Sequence, residues 1–142
     1  PKEMARVSYF GMGPMESYCD KHHAASHDYF SSTILQQHED YIRPQENGSH
    51  YDCDYVQLDG AGIKLTAVGA KPFCFNASHY TQEELTEKAH NYELHPCDST
   101  VLCLDYAQNG IGSASCGPRL AEQYRLDDAS FDFSIRLIPE KA

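Results

Sequence analysis

The sequence predicts a mainly β fold, an antiparallel β-sandwich carrying one short helix. Apolar residues recur at every second position in several short runs. Turn residues punctuate those runs, and a single stretch, residues 82–90, has the cap and charge placement of a helix. Several short strands with one helix point to two packed sheets. In chain order, residues 6–10 open as a strand. Residues 21–43 are of mixed polarity, with four histidines and Tyr29-Phe30, and are expected to be a surface excursion with little regular structure. From 51 to 55, Tyr51, Cys53 and Tyr55 alternate with Asp52 and Asp54; the phase then breaks at Val56 and Leu58, which suggests a bulge. Asp59-Gly60-Ala61-Gly62 reads as a hairpin turn into a strand at 63–68, and a further short strand follows at 73–77.

Thr81 followed by Glu84 is a capping-box pattern, with Tyr80 and Leu85 at the staple positions and Lys88 and His90 near the helix end. Residues 101–106 are apolar at nearly every position, which predicts a central strand covered on both faces. Residues 130–137 place Phe131, Phe133, Ile135 and Leu137 on one face of a half-buried strand, opposite Asp132, Ser134 and Arg136.

With 142 residues, 41% of them apolar, the chain has enough material for one domain and one core. Its formal charge of -10 argues against a nucleic-acid backbone or an anionic membrane as partner, because both attract clustered Lys and Arg. No apolar run is long enough to span a bilayer. The chain opens Pro1-Lys2-Glu3, with no initiator Met and no signal-peptide pattern, so a piece of a longer polypeptide is expected. Cys53, Cys74 and Cys103 lie in strand-like runs, where cysteine acts as a small buried hydrophobe; free thiols and a reduced, cytoplasmic setting are expected.

Four blocks carry a family resemblance. They are Val7-Ser8-Tyr9-Phe10-Gly11-Met12-Gly13-Pro14-Met15-Glu16-Ser17-Tyr18-Cys19-Asp20-Lys21, then Tyr41-Ile42-Arg43-Pro44-Gln45-Glu46-Asn47-Gly48. Phe73-Cys74-Phe75-Asn76-Ala77-Ser78-His79-Tyr80-Thr81 follows, running on to His95, and last comes Gly110-Ile111-Gly112-Ser113-Ala114-Ser115-Cys116-Gly117-Pro118. In this order they resemble the C-terminal domain of family 2 β-galactosidases, from about residue 6 to about residue 138. The resemblance implies a galactose mutarotase-like supersandwich, of which residues 1–142 would be one fragment, roughly the second half. It implies a retaining β-galactosidase that hydrolyses terminal β-galactosides, with both catalytic glutamates on a barrel outside this stretch, so the isolated chain is expected to be inactive. No cofactor is expected here, since the family's magnesium and sodium sites lie mostly in other domains. The implied partners are a galactoside, by way of the full enzyme, and the rest of the parent polypeptide; a homo-oligomer is a further expectation. The alternative is a stand-alone carbohydrate-binding sandwich module.

Individual motifs are modest. Gly11-Met12-Gly13 lacks the third glycine and following helix of a dinucleotide loop and reads as a tight turn after a strand. Glu16, Tyr18 and Asp20 are expected to order that turn rather than to form a catalytic pair. Glu46-Asn47-Gly48 reads as a turn whose carboxylate receives backbone N–H bonds or pairs with an Arg. His23 and His27, four apart beside His22, would share a helix face, but no Cys or carboxylate at ligand spacing completes a metal site, so surface histidines are expected. The segment 110–118, rich in Gly and Ser, reads by itself as a hairpin or loop. The resemblance implies that it reaches the mouth of the barrel. Ser113, Ala114, Ser115 and Cys116 would then line the galactose pocket, with Cys116 at or next to a position where some members stack a Trp on the sugar. This chain has no Trp, and a thiol offers far less apolar face than an indole.

Overall fold

The computed structural model describes residues 1–112 and 116–142. Six strands appear among them: β1 (Arg6–Gly13), β2 (Ser26–Thr33), β3 (His50–Gly60), β4 (Ile63–Ser78), β5 (Val101–Asp105) and β6 (Ile135–Lys141). One helix, α1 (Gln82–Glu87), and 3-10 turns at Ile34–Gln37, Asn91–Glu93 and Glu122–Tyr124 complete the described elements. All strand pairings are antiparallel, in the order β2-β1-β3-β4-β5, with β6 also on β4. This mainly antiparallel β architecture is consistent with the sandwich expected.

Alternation drives the sheet. Val7 and Tyr9 on β1, Cys53, Val56 and Leu58 on β3, and Ala67, Phe73, Phe75 and Ala77 on β4 face one core, joined by Met4 and Ile34. Each large apolar side chain buried there contributes about 1.5–3 kcal/mol. The β3–β4 hairpin closes as expected, with Gly60 opposite Ile63 and a two-residue turn at Ala61-Gly62. Both turn residues have positive φ, as a type I′ turn requires. The phase break in β3 is real: the register with β4 shifts between His50 and Tyr55, where Asp52 has φ 55.

Four expectations need correction. Residues 21–43 are not an irregular excursion, since β2 pairs with the whole of β1 from Arg6↔Thr33 to Gly13↔Ser26. The sequence of β2, SHDYFSST, hides this because as an edge strand it is exposed or half-exposed throughout. Gly11-Met12-Gly13 lies inside β1, and the turn begins at Pro14. The two strands at 63–68 and 73–77 are one continuous strand, β4. Finally, β5 is not central: it lies at one end of the strand order, and all five of its residues are half-buried.

The last strand is displaced too. β6 starts at Ile135, while Phe131 and Phe133 precede it and gather on Tyr106, with ring centroids 4.6 and 6.2 Å away. Leu137, expected on the covered face, is 56% exposed. The helix is also shorter than expected. Thr81 caps it through a bond from Glu84 N to Thr81 Oγ1 (3.2 Å), but the Glu84 carboxylate accepts from His95 N (2.8 Å) instead of closing the box.

Candidate functional site

The turn after β1 is densely bonded. Glu16, 4% exposed, accepts from Lys21 Nζ (2.5 Å) and from the Tyr41 hydroxyl through one oxygen, and from Gly48 N (2.8 Å) through the other. Burial alone would raise this carboxyl, but those three donors outweigh it and hold it below the ordinary glutamate range. Glu46 accepts from Tyr18 Oη (3.0 Å) and Asn76 Nδ2 (2.9 Å), so it pairs with neither a backbone N–H nor an Arg. Burial, only partly offset by these two donors, raises it, and the charges of Glu16 and Asp105 push the same way. Ser17 and Ser49 knit the turn to the sheet through Ser17 N to Ser49 O (2.7 Å), Ser17 Oγ to Met12 O (2.9 Å) and Ser49 Oγ to Phe75 O (3.2 Å). Glu16, Tyr18 and Asp20 therefore do order this turn. Both glutamates are held by fixed donors, which is a structural arrangement rather than that of a poised acid/base pair.

Behind this turn, His50 is buried against Tyr9 and Phe75. Burial lowers its pKa to about 4, so it is neutral at pH 7. Its Nδ1–H donates to Met12 O (3.1 Å), and Nε2 pairs with the Gln37 side-chain amide.

On the outer side of the turn lies a groove of about 830 Å³. Cys19, Asp20, His22, His23 and Tyr51 form one wall; Gly112 and a stretch from Pro118 to Tyr124 form the other. Asp20 bridges the two walls: Oδ1 accepts from Ile111 N (3.1 Å) and Oδ2 from Gly112 N (3.1 Å). The Cys19 thiol approaches Gln108 O at 3.3 Å, and Leu126 N donates to Asn109 Oδ1 (2.7 Å). The groove is open, and Tyr51 and Tyr124 give it an aromatic face on each wall.

Of the four predicted pocket residues, Ser113, Ala114 and Ser115 lie outside the described residues; Cys116 is exposed, close in sequence to the groove wall at Pro118. The histidines do not converge. His22 and His23 have ring centroids 5.0 Å apart, whereas His27 sits on β2 and bonds to Asp52 O (3.0 Å). Among the described residues no group of three or more His, Cys, Asp or Glu could hold a metal ion. Sequence reasoning missed Lys21, Tyr41 and Asn76 as partners of the two glutamates, and it missed the pairing of Asp20 with the 110–112 backbone. The sole signal for the latter was a glycine, Gly110, at the start of the segment.

The fold and the site together define an antiparallel β domain in which the turn after β1 and the stretch from Pro118 to Tyr124 border one groove. The chain belongs to the β-galactosidase small chain family, whose model matches residues 1–137. It is similar to the β-galactosidase of Actinobacillus pleuropneumoniae, 52% identical over 135 residues, which are 95% of this chain and 13% of that enzyme. The β-galactosidase of Staphylococcus xylosus is 44% identical over 137 residues, 96% of this chain and 14% of the relative. That of Arthrobacter sp. (strain B7) is 33% identical over 143 residues, again 96% and 14%. The chain thus spans about one-seventh of the length of the relatives it matches.

Proposed function

We propose that this chain acts as part of a retaining β-galactosidase that cleaves terminal non-reducing β-D-galactose residues in a reduced, cytoplasmic setting. It would be roughly the second half of the C-terminal domain. In this reading the sheet supports the catalytic barrel, and the segment 110–118 lends Ser113, Ala114, Ser115 and Cys116 to the rim of the sugar site. The observation that carries the reading is the groove bordered by Gly112, just before Ser113, and by Pro118, two residues after Cys116, in a chain of the β-galactosidase family.

Retaining hydrolysis needs two carboxyl groups about 5–5.5 Å apart, one as nucleophile and one as acid/base. Glu16 and Glu46 do not offer that pair, because fixed donors occupy both. The chemistry then belongs to the rest of the parent polypeptide, and the contribution of this chain is support and ground-state contact. Any magnesium or sodium the enzyme uses would be held mostly outside this stretch.

Kinetics on the intact enzyme test the reading. Cys116→Trp is expected to shift KM for a nitrophenyl β-galactoside several-fold, with little change in melting temperature, because an indole would add apolar face at the rim. Unchanged KM and kcat would mean that the segment does not reach the sugar. The isolated chain is expected to show no turnover of the same substrate.

A further inference from the structure

We propose that Asp20 is the positioning residue of the pocket-rim segment: its carboxylate holds the backbone amides of Ile111 and Gly112 and so sets where that segment leaves the sheet. The inference rests on the rim role proposed above for residues 110–118.

The platform is rigid on the Asp20 side. Asp20 stands at the tip of a two-residue turn closed in both directions, by Tyr18 N to Lys21 O (2.9 Å) and Lys21 N to Tyr18 O (3.0 Å). The turn is anchored by Tyr18, which is 2% exposed, and by the three donors on Glu16. On the other side the segment after β5 turns at Gly110, with φ +86, so that two successive N–H groups address one carboxylate. Successive N–H groups after a left-handed residue form an anion-binding concavity. A bond to a charged acceptor is roughly twice as strong as a neutral one. The fit is close: a Cβ added at Gly110 would fall inside the Asp20 carboxyl group. The same wall is held by a neighbouring contact, Cys19 to Gln108 O.

Chemistry makes the carboxylate hard to replace. Asparagine has one acceptor oxygen and would turn an N–H donor toward the second amide, so Asp20→Asn must release either Ile111 or Gly112. The segment then leaves the sheet at a changed angle, and its contact with the sugar is weakened before any reacting group moves.

The experiment is steady-state kinetics on the full-length enzyme with a nitrophenyl β-galactoside and with galactose as competitive inhibitor. Asp20→Asn is expected to raise KM and the galactose inhibition constant together by about tenfold, with kcat changed less and the melting temperature nearly unmoved. Gly110→Ala attacks the same contact from the other wall and leaves the Tyr18–Lys21 turn intact; it should reproduce the phenotype. The double variant should be no worse than the more severe single one. If both variants lose activity and melting temperature with KM unchanged, the contact is only structural and the proposal falls. If Cys116→Trp shifts KM while Asp20→Asn does not, the rim role stands and the positioning role is overturned. If none of the three moves KM, the rim role fails and the positioning role with it.

Discussion

Residues 14–22 with 38–49, and residues 106–134, are both polar stretches that interrupt the sheet, and Asp20 touches both. The first has a buried polar centre: Glu16, Ser17, Tyr18, Asn47 and Ser49 are all below 9% exposure, although neighbours such as Met15 and Ile42 are exposed. The bonds described above satisfy its carboxylates from several sides. The second is mostly exposed where described, and the contacts that hold it include Asp20 on Ile111 and Gly112, Cys19 on Gln108, Asn109 on Leu126, Ala70 on Ser134 and the Tyr106–Phe131 ring stack. The contrast shows two uses of polar sequence. Where each donor has a fixed acceptor, polar residues substitute for a core; the exposed stretch is instead held at separate points along its described length.

The largest expected effect comes from breaking the first region. Glu16→Ala leaves the Gly48 amide without its acceptor and Lys21 and Tyr41 without theirs, and should cost about 3 kcal/mol in denaturant unfolding. Acid should attack the same region. His50 has a folded pKa of about 4 against an ordinary 6.5, so as pH falls the unfolded chain takes up a proton first. Its contribution is intact above pH 6.5 and drains between 6.5 and 4, by about 2 kcal/mol from pH 7 to 4.5. Glu16, whose pKa is lowered, adds to that loss below its ordinary 4.5, whereas Glu46, whose pKa is raised, opposes it. Urea midpoints across this range, with a flatter profile for His50→Gln, check the assignment.

The glycines sharpen the contrast further. Gly48 has φ +68, and an added Cβ would strike Gln37 O, so Gly48→Ala should cost about 2 kcal/mol. Gly117 has nothing within 4 Å, and Gly117→Ala should stay within about 0.5 kcal/mol in the same unfolding measurement. Glu46→Gln should be mild as well, at about 1 kcal/mol or less. The amide oxygen still accepts from Tyr18 or Asn76, and the loss of a charge that burial already disfavours is a gain. A Glu46→Gln as damaging as Glu16→Ala would erase the distinction between the two carboxylates.

The apolar alternation of β1 and β3 was legible because one face of each strand is buried, and the hairpin because Ala61-Gly62 meets the demands of its turn type. β2 was not legible, since an edge strand with no buried residue needs no alternation. β5 misled for the opposite reason: its apolar run suggests cover on both faces, yet its five residues are only half-buried. Phe131 and Phe133 fitted a strand face, but they precede β6, stay exposed and pack on the Tyr106 ring and not on a sheet partner. In the candidate site, the turn carboxylates were legible as turn-formers. Most of their partners were not, because Tyr41, Gly48 and Asn76 are brought to them from 25 to 32 positions away by the fold, while Lys21 sits five residues on across a turn whose closure the sequence does not display. Asp20 escaped functional notice because its acceptor role depends on a backbone more than ninety positions further along the chain.

β4 carries β5 and β6 end to end along the same strand, with Cys74 opposite Asp105 and Gly69 opposite Ile135. The stretch between those two strands thus departs and returns at points five positions apart on one rod, roughly 17 Å. Closing such a span grows costlier only with the logarithm of its length, about 0.6 kcal/mol per doubling. Evolution can therefore lengthen, trim or rewrite that stretch without renegotiating the strands that carry it.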